Sequence, residues 1–184
     1  MSLKSGIFNS TTVETTESGL VRGNKAVDAA YLAKLLSSLV KSGVMEGVGS
    51  GFRTIAAGGT SGETTAMQVV TGSGACMIEG HFAYDNATDT RSFSVSSSDR
   101  VVARVYRLNT DDGTLLPLWK ECTRSGNTLT TKAENQVLPV RAGNTWDLVT
   151  AVVDLPAGTT AITDAMITDL RGDENFCGFA ATKL

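Results

Sequence analysis

From Phe52 onward the sequence is divided by Gly, Asn and Asp into short runs rich in Val, Thr, Leu and aromatic residues, almost none long enough for a helix. A chain cut this way can bury itself only by pairing many short strands, so an antiparallel sandwich or barrel is the expected architecture. Strands are predicted over 53–57, 64–70, 75–84, 91–96, 100–108, 115–122, 128–131, 136–140, 146–154 and, with the weakest pattern, 178–181. Within 100–108, Val101, Ala103 and Val105 alternate with Val102, Arg104 and Tyr106. One face is apolar and the other mixed, the pattern of a half-buried strand. Asp112-Gly113 and Ser125-Gly126-Asn127 supply hairpin chemistry between neighbouring runs.

The part before Phe52 is different. Residues 5–23 are rich in Ser, Thr and Gly, carry only Ile7, Phe8, Val13, Leu20 and Val21 as apolar anchors, and follow no period, which predicts an extended arm. Asn24 is a helix N-cap, and neither Gly nor Pro occurs between it and Gly43, so a helix is expected over about 25–42. At about 100° per residue, Leu32, Leu35, Leu36, Leu39 and Val40 share an arc with Ala29 and Ala33, opposite Lys34, Ser37, Ser38 and Lys41. That apolar face needs a partner, either the chain's own sheet or another subunit. Glycines at 43, 47, 49 and 51 then make a connector. The expected organisation is an arm, helix and connector over 1–51 and a jelly-roll-like β-sandwich module over 52–184.

Composition narrows the function. With 184 residues, 41% hydrophobic and 19% charged, the chain is one globular domain rather than a disordered tail. A net charge of -3 offers no electrostatic footprint for nucleic acid. No apolar stretch approaches the roughly 18 residues of a spanning helix, so membrane insertion is not expected. Cys76, Cys122 and Cys177 are far apart, form no CxxC or His/Cys cluster, and follow an opening without a long apolar stretch. Reduced, buried thiols in a protein made in a cytoplasm are expected, and no zinc site.

No residue pattern singles out a reaction. His81, the only histidine, lies in an apolar run and reads as structural. Asp85 with Asp89, and Asp111 with Asp112, sit in turn context. Arg171-Gly172-Asp173 reads as a surface turn with a salt-bridging pair, and Arg91, Asp99, Arg100, Arg104 and Asp169 read as ion-pairing groups at sheet edges.

Three stretches in order carry a resemblance: Ser5-Gly6-Ile7-Phe8-Asn9-Ser10, then Ser98-Asp99-Arg100-Val101-Val102-Ala103-Arg104, then 161–171 through Cys177-Gly178, with Leu155-Pro156-Ala157-Gly158 as the preceding turn. Together they resemble bacteriophage and prophage tail proteins of Gram-positive hosts, of the baseplate upper-protein or receptor-binding type. The similarity spans nearly the whole chain and departs over 115–141. It implies a virion structural component, assembled in the bacterial host cytoplasm, that oligomerises and carries no catalytic residues.

The leading expectation is therefore a non-enzymatic tail or baseplate subunit, a homo-oligomer with a trimer favoured, that connects or presents host-recognition parts. Its interface would use Phe8, Leu32, Leu35, Leu36, Leu39 and Val40. A carbohydrate-binding module contacting a host surface saccharide through Trp119, Trp146 and Tyr84 is the first alternative. A glycan-cleaving tail enzyme is the second, and no carboxylate pair is singled out for it. No catalytic, cofactor or metal residue is assigned. Other tail or baseplate proteins are the remaining expected partners.

Overall fold

A computed structural model of the chain describes residues 13–15, 21–23, 29–111 and 113–183. The fold is mainly β, built from antiparallel sheets, as expected from the short runs. Within the arm, β1 (Val13–Thr15) pairs with β2 (Val21–Gly23). The helix, α1, covers Ala29–Leu39. It ends before the expected 42 because Val40 leaves it to bridge Thr182; residues 25–28 lie outside the described residues.

Next come β3 (Gly43–Val44), β4 (Thr54–Ala56), β5 (Gln68–Thr71), β6 (Gly74–Ile78), β7 (His81–Asp85) and β8 (Asp89–Ser92). They form two small sheets, ordered β3-β6-β7 and β4-β5-β8. The expected single strand over 75–84 is thus a hairpin. Glu79 and Gly80 hold φ of 47° and 80°, a two-residue turn with both central residues left-handed, which matches the twist of the flanking strands. The expected strand over 64–70 begins only at Gln68, after successive turns. The one over 91–96 is displaced to Asp89–Ser92. In the region taken as connector, Val44 is fully buried in the core.

The large sheet contains β9 (Arg100–Asn109), β10 (Leu115–Ser125), β11 (Thr128–Thr131), β12 (Val137–Leu138), β13 (Arg141–Ala142), β14 (Thr145–Leu155) and β15 (Ile167–Asp169). Its order is β12-β11-β10-β9-β14-β13, with β15 also on β14. The sheet curls into a half-barrel, bringing Cys122, Leu129 and Leu138 onto Ala103, Val105 and Val149. The other face of β9 and β14 is covered by the small sheets: Val44, Phe52, Cys76 and Ile78 pack on Tyr106, Leu108 and Leu148, and Val69 and Phe93 pack on Val102 and Val153. So β9 is buried on both faces, not half-buried; even Arg104, on the mixed face, is only 1% exposed. The pattern over 178–181 resolves into isolated bridges, Phe179 to Val44 and Thr182 to Val40, rather than a strand.

The helix meets the β7 hairpin at Gly80. A Cβ there would lie 1.7 Å from the Ala33 carbonyl oxygen, in a left-handed backbone. Gly80→Ala should therefore cost about 3 kcal/mol and loosen α1, from overpacking plus backbone strain. Gly126→Ala, with a positive φ but open space, should cost only about 1 kcal/mol. Urea denaturation of the two variants checks the difference, and equal losses would remove the packing term.

Candidate functional site

Among the residues of the α1 face whose burial is described, Ala33, 7% exposed against the hairpin, is the one well buried. Leu32 and Leu39 are 39% and 53% exposed, and Leu35, Leu36 and Val40 are half-buried. Phe8, the remaining expected interface residue, lies outside the described residues. The helix is fixed mainly by backbone: Lys183 N–H donates to the Leu39 carbonyl and Lys41 N–H to the Ala181 carbonyl, each at 2.7 Å. Lys183 Nζ adds a bond to the Ser37 carbonyl. Just beyond, Ser42 Oγ accepts from Glu79 N–H at 2.9 Å and donates to Glu79 Oε1 at 3.2 Å.

Between α1, the β7 hairpin and the turn after β9 lies an open cleft of about 500 Å³, lined in part by Lys34, Glu79, His81, Asp111 and Trp146. The charges are mixed in sign. Trp146 carries the Arg141 guanidinium 5.6 Å from its ring centroid. Asp111 Oδ2 accepts from Asn144. Among the described residues, no group of three or more His, Cys, Asp or Glu is placed to hold a metal. None of the described helices is long and apolar enough to cross a membrane.

The three aromatic residues considered for saccharide contact lie on different strands. Trp119, half-buried on β10, faces the Arg104 guanidinium at 5.1 Å, meets Phe93 edge-on at 6.1 Å and donates Nε1 to Asp89 Oδ2 at 3.3 Å. Tyr84 is 68% exposed, beside Phe82 at 56%, their ring centroids 6.2 Å apart. The Phe82 ridge was not foreseen, because residue 82 stood inside a strand read as continuous and apolar.

Arg104 is itself a clip between sheets. Its Nη1 meets Asp89 Oδ2 of β8 at 2.7 Å, Nη2 donates to the Tyr106 hydroxyl at 3.2 Å, and its plane lies between the Tyr106 and Trp119 rings. Of the other charged residues read as ion-pairing, Arg100 meets Glu121 and Asp169 meets Arg171, whereas Arg91 forms no ion pair among the described residues and lies 5.9 Å from the Phe93 ring centroid, and Asp99 accepts a backbone N–H instead. In the Arg171-Gly172-Asp173 turn the arginine also reaches the Ser50 and Gly51 carbonyls, so its partner is Asp169 and not Asp173. The sequence did not reveal Arg107 with Asp147, a two-bond pair at 2.8 and 2.9 Å around a fully buried carboxylate.

Two motif stretches meet in space. Asp99 Oδ1 accepts from Ala157 N–H, and Ser96 C=O from Gly158 N–H, both at 2.8 Å. The Pro-Ala-Gly turn is thus held by the segment that leads into β9. No protein-family model, curated protein or solved structure matches this chain.

Proposed function

We propose that the chain is a non-enzymatic structural subunit of a phage or prophage tail or baseplate, assembling with copies of itself as a trimer and connecting or presenting host-recognition parts. One observation carries this reading: α1 is fixed by backbone bonds while Leu32 and Leu39 of its apolar face are exposed and Leu35 and Leu36 are only half-buried. An exposed apolar face on a firmly placed helix favours burial against another subunit. The tail context rests on the ordered motif set, and the bonding of Asp99 to the Ala157 turn supports reading those motifs as one structural unit. Trp119 and Trp146 already carry arginines, which favours assembly over saccharide stacking as the use of the surface.

Leu39→Asp places a carboxylate on the exposed part of the face, and Leu36→Asp places one beside it. Each should lower the assembly mass measured by light scattering while leaving the thermal midpoint within a few degrees of the parent, because the β core does not depend on them. Lys34→Asp, on the cleft side, should change neither. Retention of the parent mass by both leucine variants would overturn the helix interface.

A further inference from the structure

β7 is the free edge of its sheet, and its backbone is oriented for pairing. Met45 N–H donates to the Ala75 carbonyl at 2.8 Å, so in β6 Ala75 and Met77 turn their backbone groups toward β3. Gly74, Cys76 and Ile78 turn theirs toward β7, opposite Asp85, Ala83 and His81. Phe82 and Tyr84 therefore direct N–H and C=O away from the sheet. Among the described residues, no hydrogen bond reaches those groups. Two other edges are protected differently: β12 has two residues, and β8 carries Asp89, which is held by Arg104. Edges are ordinarily blunted by charge or shortness, and β7 instead presents two aromatic rings on its outer face.

We propose that β7 pairs with β7 of a second copy of this chain, antiparallel, across a two-fold axis at Ala83. The sequence His81-Phe82-Ala83-Tyr84-Asp85 is complementary to itself in that register. Phe82 falls opposite Tyr84 in both directions, so the outward backbone groups of the two residues form hydrogen-bonded pairs and the rings cluster on one face. His81 falls opposite Asp85, a basic group against a carboxylate, at a non-hydrogen-bonded position where side chains approach most closely. A shift by one residue in either direction would lose both matches. This hydrogen-bonding and ring complementarity selects a second copy over an unrelated extended peptide. The contact is separate from the α1 face. Where this two-fold crosses the three-fold of the proposed trimer at a right angle, the two contacts close into a hexamer of dihedral symmetry.

Proline is tolerated on an edge strand where its missing N–H would have pointed outward, so Tyr84→Pro removes the pairing without touching β6. Light scattering at micromolar concentration should show the full chain at twice the trimer mass and Tyr84→Pro at half the parent mass, with an unchanged circular dichroism spectrum. Tyr84→Lys, which keeps the backbone donor but charges the ridge, should also halve it. Ala83→Cys in a Cys76→Ala background, which removes the thiol directly opposite on β6, gives a second readout: residues facing across the axis are within disulfide reach, so mild oxidation should yield a covalent dimer that Val95→Cys, exposed elsewhere, does not in the same background. Parent mass retained by both Tyr84 variants, or no cross-link at Ala83→Cys, overturns the pairing. If Leu39→Asp still lowers the mass in that case, the helix interface stands and only β7 pairing falls. Mass halved by the Tyr84 variants but untouched by Leu39→Asp gives the reverse.

Discussion

Arg107→Met should lower unfolding free energy by about 3–5 kcal/mol, as much as truncating a core aromatic side chain. Asp147 is fully buried on β14, and Arg107 supplies both of its side-chain hydrogen-bond donors; the Val140 N–H, at 3.1 Å, is its backbone donor. Without the guanidinium a carboxylate remains in the core with one backbone bond, and desolvating a charge without a counter-ion is what makes breaking a buried pair expensive. Replacing both members should be far milder, because an apolar pair of similar volume leaves nothing unpaired. Urea titration of Arg107→Met and of Arg107→Met/Asp147→Leu makes the comparison. A double variant as unstable as the single would show that the loss comes from packing and not from the stranded charge.

Stability should fall steeply in alkali. Burial pushes the thiols of Cys76 and Cys177 from 9.0 up to about 12, with the neighbouring Cys177 also disfavouring ionisation of Cys76, and burial raises the Tyr106 phenol from 10.0 to about 12 despite the neighbouring Arg104. An unfolded chain releases these protons at the ordinary values while the folded chain keeps them. Stability is therefore intact below about pH 9, falls as pH rises, and stops falling through this route near about 12. Each group contributes a slope of up to about 1.4 kcal/mol per pH unit, so the two thiols together approach about 3 kcal/mol per unit. Urea midpoints at about pH 8 and about pH 10.5 should differ sharply, and the difference should shrink in Cys76→Ala/Cys177→Ala. A flat profile in the parent would contradict the burial of these groups. Thiol reagents at about pH 8 should find all three cysteines only after denaturant is added, since all three are free and buried.

How far the fold could be read ahead of the structure depended on where the information sits. Period and capping residues are local, so α1, β9, β10, β11 and β14 were all recognisable within a few residues of their ends. The hairpin at Glu79-Gly80 was hidden because apolar residues continue on both sides of it, and hydrophobicity outweighed the one glycine. β15 was missed for another reason: Ile167–Asp169 has no alternation of its own and becomes a strand only because β14 offers an edge. Pairs such as Arg107 with Asp147 depend on the register between β9 and β14, set by a bulge at Thr150 and by packing that no short window contains. For the candidate site, the wheel of α1 correctly grouped its leucines but was silent on whether a sheet or a neighbour would cover them. That question is decided by distance from the core: among the described residues Ala33 is buried, Leu35, Leu36 and Val40 are half-buried, and Leu32 and Leu39 are exposed.

The anchoring of α1 separates two demands that usually conflict. Its C-terminal end is joined to residues 181–183 through N–H and C=O groups, which every residue except proline supplies alike. Side chains on the open face can therefore be exchanged for others of different shape without disturbing the domain on which the helix stands. Were this face to serve the interface proposed above, such a platform would tolerate drift in its partner one substitution at a time, each intermediate still folded.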